Sequence, residues 1–277
     1  MAVTTKDPKT DGWVNASEHR TPGITIKPLV NRDGQGRSFE FNIVQFGGGD
    51  FFSPRHRHNF DQIRIGLEGE TSYGEKHLIR ARTVGYFPEG AWYGPLQVNQ
   101  PSVQAILQFD GASHCGYVSY EHLDRATAEL RTEGTFAGGF FEPANGDSRI
   151  DAYQASWERV TGQSMVYPER RFTTPIYMNI DAFAWVGAAG SVRRKTLGVF
   201  GERQTTISML EVPAGAQAQI SEPGRTVVGF VLTGAVDCDG SALGAWSAVR
   251  TEETDQVSVT GAAPVSEVIL LHLPTFE

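Results

Sequence analysis

Ser53–Glu70 reads SPRHRHNFDQIRIGLEGE, and this stretch decides how the rest of the chain is read. His56 and His58 are two residues apart, so on a strand their side chains leave the same face. Arg55 and Arg57 would then leave the other. If the histidine face points inward, two imidazoles converge inside a β structure. Neutral imidazole is the commonest protein ligand for zinc, iron, copper and nickel. The residues alone leave two readings open: a surface or hydrogen-bonded pair, and a metal-binding or catalytic pair. Arg64 is in phase with Gln62 and would enter the same space. A buried guanidinium there needs a partner, either a carboxylate of a neighbouring strand or a carboxylate or phenolate of a substrate.

Outward from this stretch, short β-type runs cover Phe39–Phe46, Asp61–Leu67, Thr83–Phe87 and Val103–Phe109, with Gly, Pro, Asn or Asp between them. Gly47-Gly48-Gly49 reads as a turn before the histidines. Gln104 and Gln108 share a phase on the last run and would line the same cavity. Tyr86, Trp92 and Tyr93 cluster nearby, as aromatic walls for an apolar ligand or as ordinary packing. His77, His114, His122 and His272 have no spacing partner and read as surface or satisfied core residues.

The middle of the chain changes character. Ser119 can cap a helix over Tyr120–Thr132, with Leu123, Ala126 and Leu130 on one face. Ser148 and Asp151 resemble a capping box before a second helix, where Ile150, Tyr153, Trp157 and Val160 fall at helical spacing and Gly162 supplies the stop. Residues 165–185 read as an extended, proline-punctuated connection. Strand-like runs resume at Lys195–Phe200 and continue to Leu273. Gly66-Leu67-Glu68-Gly69-Glu70 and Val231-Leu232-Thr233-Gly234-Ala235 both read as a strand ending in Leu-x-Gly, which points to an internal duplication.

The histidine stretch resembles the first motif of the cupin family, His-x-His, three or four residues, Glu, six residues, Gly. Here these positions are His56, His58, Gln62 and Gly69. The second motif, Gly…Pro-x-Gly-x-x-His-x-x-x-Asn, is approached by Gly85, Pro88, Gly90, Tyr93 and Gln97, and the match spans roughly Ser38–Phe109. The resemblance implies an all-β fold: two cupin-type jelly-roll barrels joined by a helical and extended insert. The implied divisions are an N-terminal arm (1–37, with one strand at Ile24–Val30), a first barrel (38–112), the insert (113–190) and a degenerate second barrel (191–277). Counted back from Gly234, the second barrel offers Ser221, Pro223 and Val227, which are no metal site.

In the family the two histidines, the glutamate and the later histidine hold a divalent metal. Carried across, His56, His58 and Gln62 would be metal ligands for iron, manganese, nickel, copper or zinc, with Tyr93 or water completing the set. Gln62 is a weaker donor than a carboxylate, and Tyr93 binds well only as phenolate; Gln62→Glu is therefore expected to tighten metal binding. Catalytic roles fall to His56, His58 and Tyr93, and substrate binding to Arg64, Trp92, Gln104 and Gln108. The expected function is a small-molecule enzyme of cupin type, metal-assisted (dioxygenase, isomerase, cyclase or lyase) or working by His and Tyr93 acid–base chemistry. The alternative is a non-catalytic storage or sensor protein without metal.

Composition sets the outer bounds. With 277 residues and 40% hydrophobic residues the chain can bury two ordinary cores, and 31 glycines and 14 prolines suit the many turns of a β architecture. A net charge of −8 repels nucleic acid and anionic membranes, which leaves a small organic ligand as the expected partner. No apolar run approaches the roughly 20 residues of a membrane span, and the N-terminus lacks a signal-peptide pattern. Cys115 and Cys238 read as reduced thiols of a cytoplasmic protein, and a homodimer is expected from the family habit.

Overall fold

The computed structural model describes residues 4–8, 12–16, 23–32, 38–47, 51–74, 76–111, 113, 116–146 and 148–274. Their contacts divide the chain into two compact units. One takes the described residues of 13–27 and 31–178, the other those of 1–12, 28–30 and 179–277. Gly48, Gly49, His114 and Cys115 lie outside the described residues.

Each unit has at its centre two antiparallel sheets with the same strand plan. In the first, the strands Thr83–Phe87, Asp61–Glu68, Ser102–Phe109 and Phe39–Phe46 follow one another in the larger sheet. The smaller sheet runs Phe51–Ser53, Leu96–Val98, Glu70–Ser72, Leu78–Arg80. In the second unit the corresponding orders are Ala248–Thr251, Val227–Thr233, Val265–His272, Thr205–Pro213, and Gln217–Gln219, Ser258–Gly261, Ala235–Cys238, Ser241–Gly244. The jelly-roll plan is thus present twice.

The duplicated Leu-x-Gly has a structural cause. Gly69 and Gly234 both have positive φ, +65° and +79°. A Cβ would strike Pro101 O at 2.5 Å in one and Val265 O at 2.6 Å in the other, so only glycine fits either turn. The preceding leucine is bulged out of the ladder in both. Val103 pairs with Glu68 and Gln104 with Gly66, skipping Leu67; Val231 pairs with Val268 and Thr233 with Glu267, skipping Leu232.

The strands that form the first interior are buried on both faces. Ile63, Ile65, Ala105, Leu107, Phe41 and Ile43 occupy one face, while Gln62, Arg64, Gln108 and Val44 alternate onto the other. That second face encloses a core of Val44, Phe46, Ile106, Phe51, Leu96 and Tyr73, drawn from both sheets. The second unit is filled instead by aliphatic side chains, among them Leu210, Val212, Val227, Val231, Val236, Val249 and Leu270. Val227 belongs to that core, and Ser221 Oγ accepts the Val257 amide at 2.9 Å, so two of the three residues at the expected ligand positions serve packing and turns.

Residues 116–178 cluster with the first unit instead of lying between units. Two helices, Tyr120–Leu130 and Ala152–Thr161, account for this. Tyr117, Leu123, Tyr153, Trp157 and Met165 pack on Phe60, and Trp157 Nε1 donates to Gly116 O at 3.0 Å. The caps differ from the sequence expectation. Ser119 makes no side-chain cap; the carboxylate of Glu40, reaching from the barrel, accepts the Tyr120 amide at 3.0 Å. Asp151, not Ser148, caps the second helix by accepting from the Tyr153 and Gln154 amides at 2.9 and 3.2 Å, and Gly162 ends it in the left-handed conformation. A hairpin of Gly134–Ala137 with Phe140–Pro143 separates the helices, which periodicity did not signal. No helix among the described residues is long and apolar enough to cross a membrane.

Candidate active site

His56 and His58 do not sit on a regular strand. They lie in the irregular link between Phe51–Ser53 and Asp61–Glu68, yet both are buried and their rings meet edge to face with centroids 5.1 Å apart. Two main-chain contacts fix the link. His56 and Tyr93 exchange both backbone hydrogen bonds, at 3.1 and 3.0 Å, and Gly90 N donates to His58 O at 2.8 Å. Gly90 has φ +74°, and a Cβ there would meet Pro168 O at 2.6 Å, which explains the motif glycine. The backbone pairing sets His56 and Tyr93 side by side.

The proton positions follow from which groups can only accept or only donate. His56 Nδ1 lies 2.6 Å from Pro54 O, a pure acceptor, so Nδ1 carries hydrogen. In the neutral ring Nε2 then accepts the hydroxyl hydrogen of Tyr93 at 3.0 Å. The Tyr93 oxygen in turn accepts from Gln62 Nε2 at 3.0 Å and from Arg64 Nη2 at 3.4 Å. Gln62 Oε1 faces the guanidinium, accepting from Arg64 Nη2 at 2.7 Å and Nε at 3.2 Å. Arg64 Nη1 donates to Tyr73 Oη at 2.6 Å, and Tyr73 passes the chain on to Gln104 Oε1 at 3.0 Å.

Arg64 is thus buried among neutral acceptors. The rings of Phe87, Tyr73 and Tyr93 surround its guanidinium at 5.0, 5.1 and 5.5 Å, adding cation–π attraction. Gly85, opposite Arg64 in the ladder, leaves room for Phe87, whose ring a Cβ would meet at 2.6 Å. Burial opposes the charge on Arg64, but the Tyr73 and Tyr93 oxygens outweigh it and raise its pKa. Burial likewise raises the Tyr73 pKa against the pull of Arg64, keeping that phenol protonated.

A cavity of about 80 Å³ opens beside this cluster, lined by His56, His58, Arg64 and Gln108 together with apolar Val44 and Ile106. His58 packs on Phe60 and edge-on against Tyr153, whose hydroxyl donates to Asn59 Oδ1 at 2.9 Å. A second cavity of about 170 Å³ is lined by Tyr73, Tyr93, Trp92, His77 and Tyr177. The His56–Tyr93 hydrogen bond therefore joins residues of two cavity walls.

The structure brings together His56, His58, Gln62, Arg64 and Tyr93, with Gln108 at the margin and Gln104 connected through Tyr73. Trp92 stands apart. It is partly exposed, lines only the second cavity, and stacks beneath the guanidinium groups of Arg55 and Arg57 at 5.3 and 5.0 Å. Tyr86 turns away and donates to Asp61 Oδ2 at 2.9 Å. Asp61 is buried beside Glu89, which pairs with the more exposed Arg171, and burial pushes the Asp61 carboxyl up to about 7. Tyr73, Tyr117 and Tyr153 are site residues that the sequence reading did not select. Tyr153 had a signal in the helical spacing; Tyr73 lies just past a three-residue strand, where spacing says little. In the second unit His272 does have partners: Glu222 Oε2 lies 2.6 Å from Nδ1 and Ser208 Oγ 3.3 Å from Nε2.

No protein-family model matches the sequence, and no curated protein matches it. Solved structures do match the fold. A candidate dioxygenase from Nostoc punctiforme superposes with a TM-score of 0.64 at 11% identity, over 99% of this chain and 83% of the other. Oxalate decarboxylase from Lactobacillus farciminis, in a formate complex, gives 0.59 at 8% identity over 100% and 87%. Pirin YhhW from Escherichia coli, in complex with nickel(II), gives 0.56 at 10% identity over 99% and 100%. The fold is that of the cupins. At these identities the cupin likeness speaks for architecture, and chemistry has to be argued from the site.

The donor set of this cupin barrel does not fit a divalent metal. Of the four motif positions only two carry imidazoles. Gln62 gives its oxygen to a guanidinium, and the Tyr93 hydroxyl is taken up by His56 Nε2. Among the described residues no three His, Cys, Asp or Glu side chains gather as a metal site. The fixed cation of Arg64 would also repel a divalent ion next to it.

Proposed function

We propose that the first barrel is a small-molecule enzyme working by proton transfer, with His56, His58 and Tyr93 as acid–base groups and Arg64 as the electrostatic support. The observation that carries this reading is the directed bond from Tyr93 Oη to His56 Nε2, with Arg64 and Gln62 both donating to the same phenol oxygen. When Tyr93 gives its proton to His56 Nε2, the phenolate left behind is held by a guanidinium and an amide. His56 becomes an imidazolium whose Nδ1–H already rests on Pro54 O. His58, which lines the same cavity as His56, is the second imidazole and packs on Phe60. Such a set supports isomerisation, epimerisation, cyclisation or elimination, in which a carbon-bound proton is removed and returned with no net redox change.

The test is deuterium exchange. Small carbonyl compounds and carboxylic acids are incubated with the protein in D₂O, and their C–H signals are followed by NMR. A substrate should exchange or convert, and Tyr93→Phe should slow this by about 10²–10⁴-fold, the usual contribution of one acid–base group. The second reading, a binding or sensor barrel, is favoured by the closure of the network, since Gln62, Tyr73 and Gln104 all find partners within the protein. A compound that binds in the cavity without exchange or conversion would support that reading instead.

A further inference from the structure

Arg64 poses a question that the proton-transfer scheme leaves open. A guanidinium has five N–H groups. Four hydrogen bonds run from Arg64 to Gln62, Tyr73 and Tyr93, and every acceptor is neutral. The carboxylate of Glu40 is committed to the Tyr117 hydroxyl at 2.7 Å and the Tyr120 amide, and makes no ion pair with Arg64. Buried charges are ordinarily paired, because an unpaired one loses its hydration without return. One N–H of Nη1 has no acceptor among the described residues, and Arg64 lines the cavity beside apolar Val44 and Ile106.

We propose that Arg64 is the resident cation among the positions that the cupin motif assigns to a metal, and that the cavity takes a small organic monoanion with an apolar body. The class is a monocarboxylate, or an acid whose enolate or phenolate carries one negative charge. One unneutralised positive charge calls for one negative charge. One spare N–H beside aliphatic walls suits a carboxylate on a hydrocarbon better than a phosphate, which would bring more charge and more acceptors. This inference rests on the acid–base reading of the same cavity and adds its substrate class. Arg64 would hold the anion and stabilise the extra charge as a neighbouring proton leaves.

Calorimetric titration with acetate, butyrate and benzoate, and with uncharged benzamide, tests it on the full chain. Nickel(II) is titrated in parallel, and metal content is read by elemental analysis. At least one carboxylate should bind, benzamide should bind about tenfold more weakly than benzoate or worse, and Arg64→Met should weaken the carboxylate by a similar factor. Gln62→Glu, which supplies an internal anion and keeps the side-chain shape, should also lose the carboxylate; it serves if Arg64→Met fails to fold by circular dichroism. The wild type should take up no nickel, whereas Arg64→Met combined with Gln62→Glu should gain it. Equal binding of benzamide and benzoate, no binding by any carboxylate, or stoichiometric nickel in the wild type would each overturn the proposal. Carboxylate binding without proton exchange would sink the enzyme reading and leave this one standing.

Discussion

At the residue scale, Gln62 and Arg64 were legible as a pair because a strand alternates faces; both point to the same face, where Arg64 lines the cavity and Gln62 stands behind it, bonded to Arg64 and Tyr93. Their relation to each other was not legible. A Gln at a metal-ligand position reads as a weakened ligand until its oxygen is seen against a guanidinium; Gln62→Glu, expected from the sequence to tighten metal binding, would place its carboxylate beside Arg64. Tyr73 was missed for a related reason: its role comes from bridging Arg64 Nη1 and Gln104 Oε1, two partners far apart in sequence. Tyr73→Phe leaves both groups buried and unsatisfied while keeping the ring. It should cost about 1–3 kcal/mol in urea denaturation. A loss well under that range would mean that water or a rotated side chain replaces the hydroxyl.

At the element scale, four strands of the larger sheet of the first barrel were readable almost to the residue, since apolar runs bounded by turn formers are a local signal; the three-residue strands of the smaller sheet are too short to give one. The helices were readable in existence and face, and the second in its Gly162 stop, but not in their N-caps, because an N-cap is decided by which oxygen reaches the free amides. Ser148 and Asp151 both qualify by residue type, and the structure gives the cap to Asp151. Asp151→Ala should therefore cost about 0.5–2 kcal/mol, while exposed Ser148→Ala should be nearly silent. Comparable losses for the two variants in thermal melts would contradict the assignment. The Gly134–Pro143 hairpin escaped notice because only one of its strand residues, Phe141, is buried and the apolar alternation is short.

At the scale of the whole molecule, the duplication was visible in one short repeat, and its reach was not. Matching sheet orders and matching bulges at Leu67 and Leu232 extend it across both units. The second unit also carries a pH signature. His272 has its pKa lowered from the usual 6.5, chiefly by burial and against the pull of Glu222, with Arg225 and Arg194 adding repulsion. A depressed histidine pKa favours the neutral form in the fold. Its contribution is present above pH 6.5 and is lost as pH falls, because the unfolded chain takes the proton first. Melting curves from pH 8 to 5 should show this acid slope, and His272→Gln should flatten it; an unchanged slope would assign the acid sensitivity to other groups. The Leu-x-Gly turn that both units share has a further use. It supplies an internal blank: a fluorescent or isotopic label at matched positions of the two barrels would record ligand-dependent signals in one, with a scaffold-matched reference in the same polypeptide.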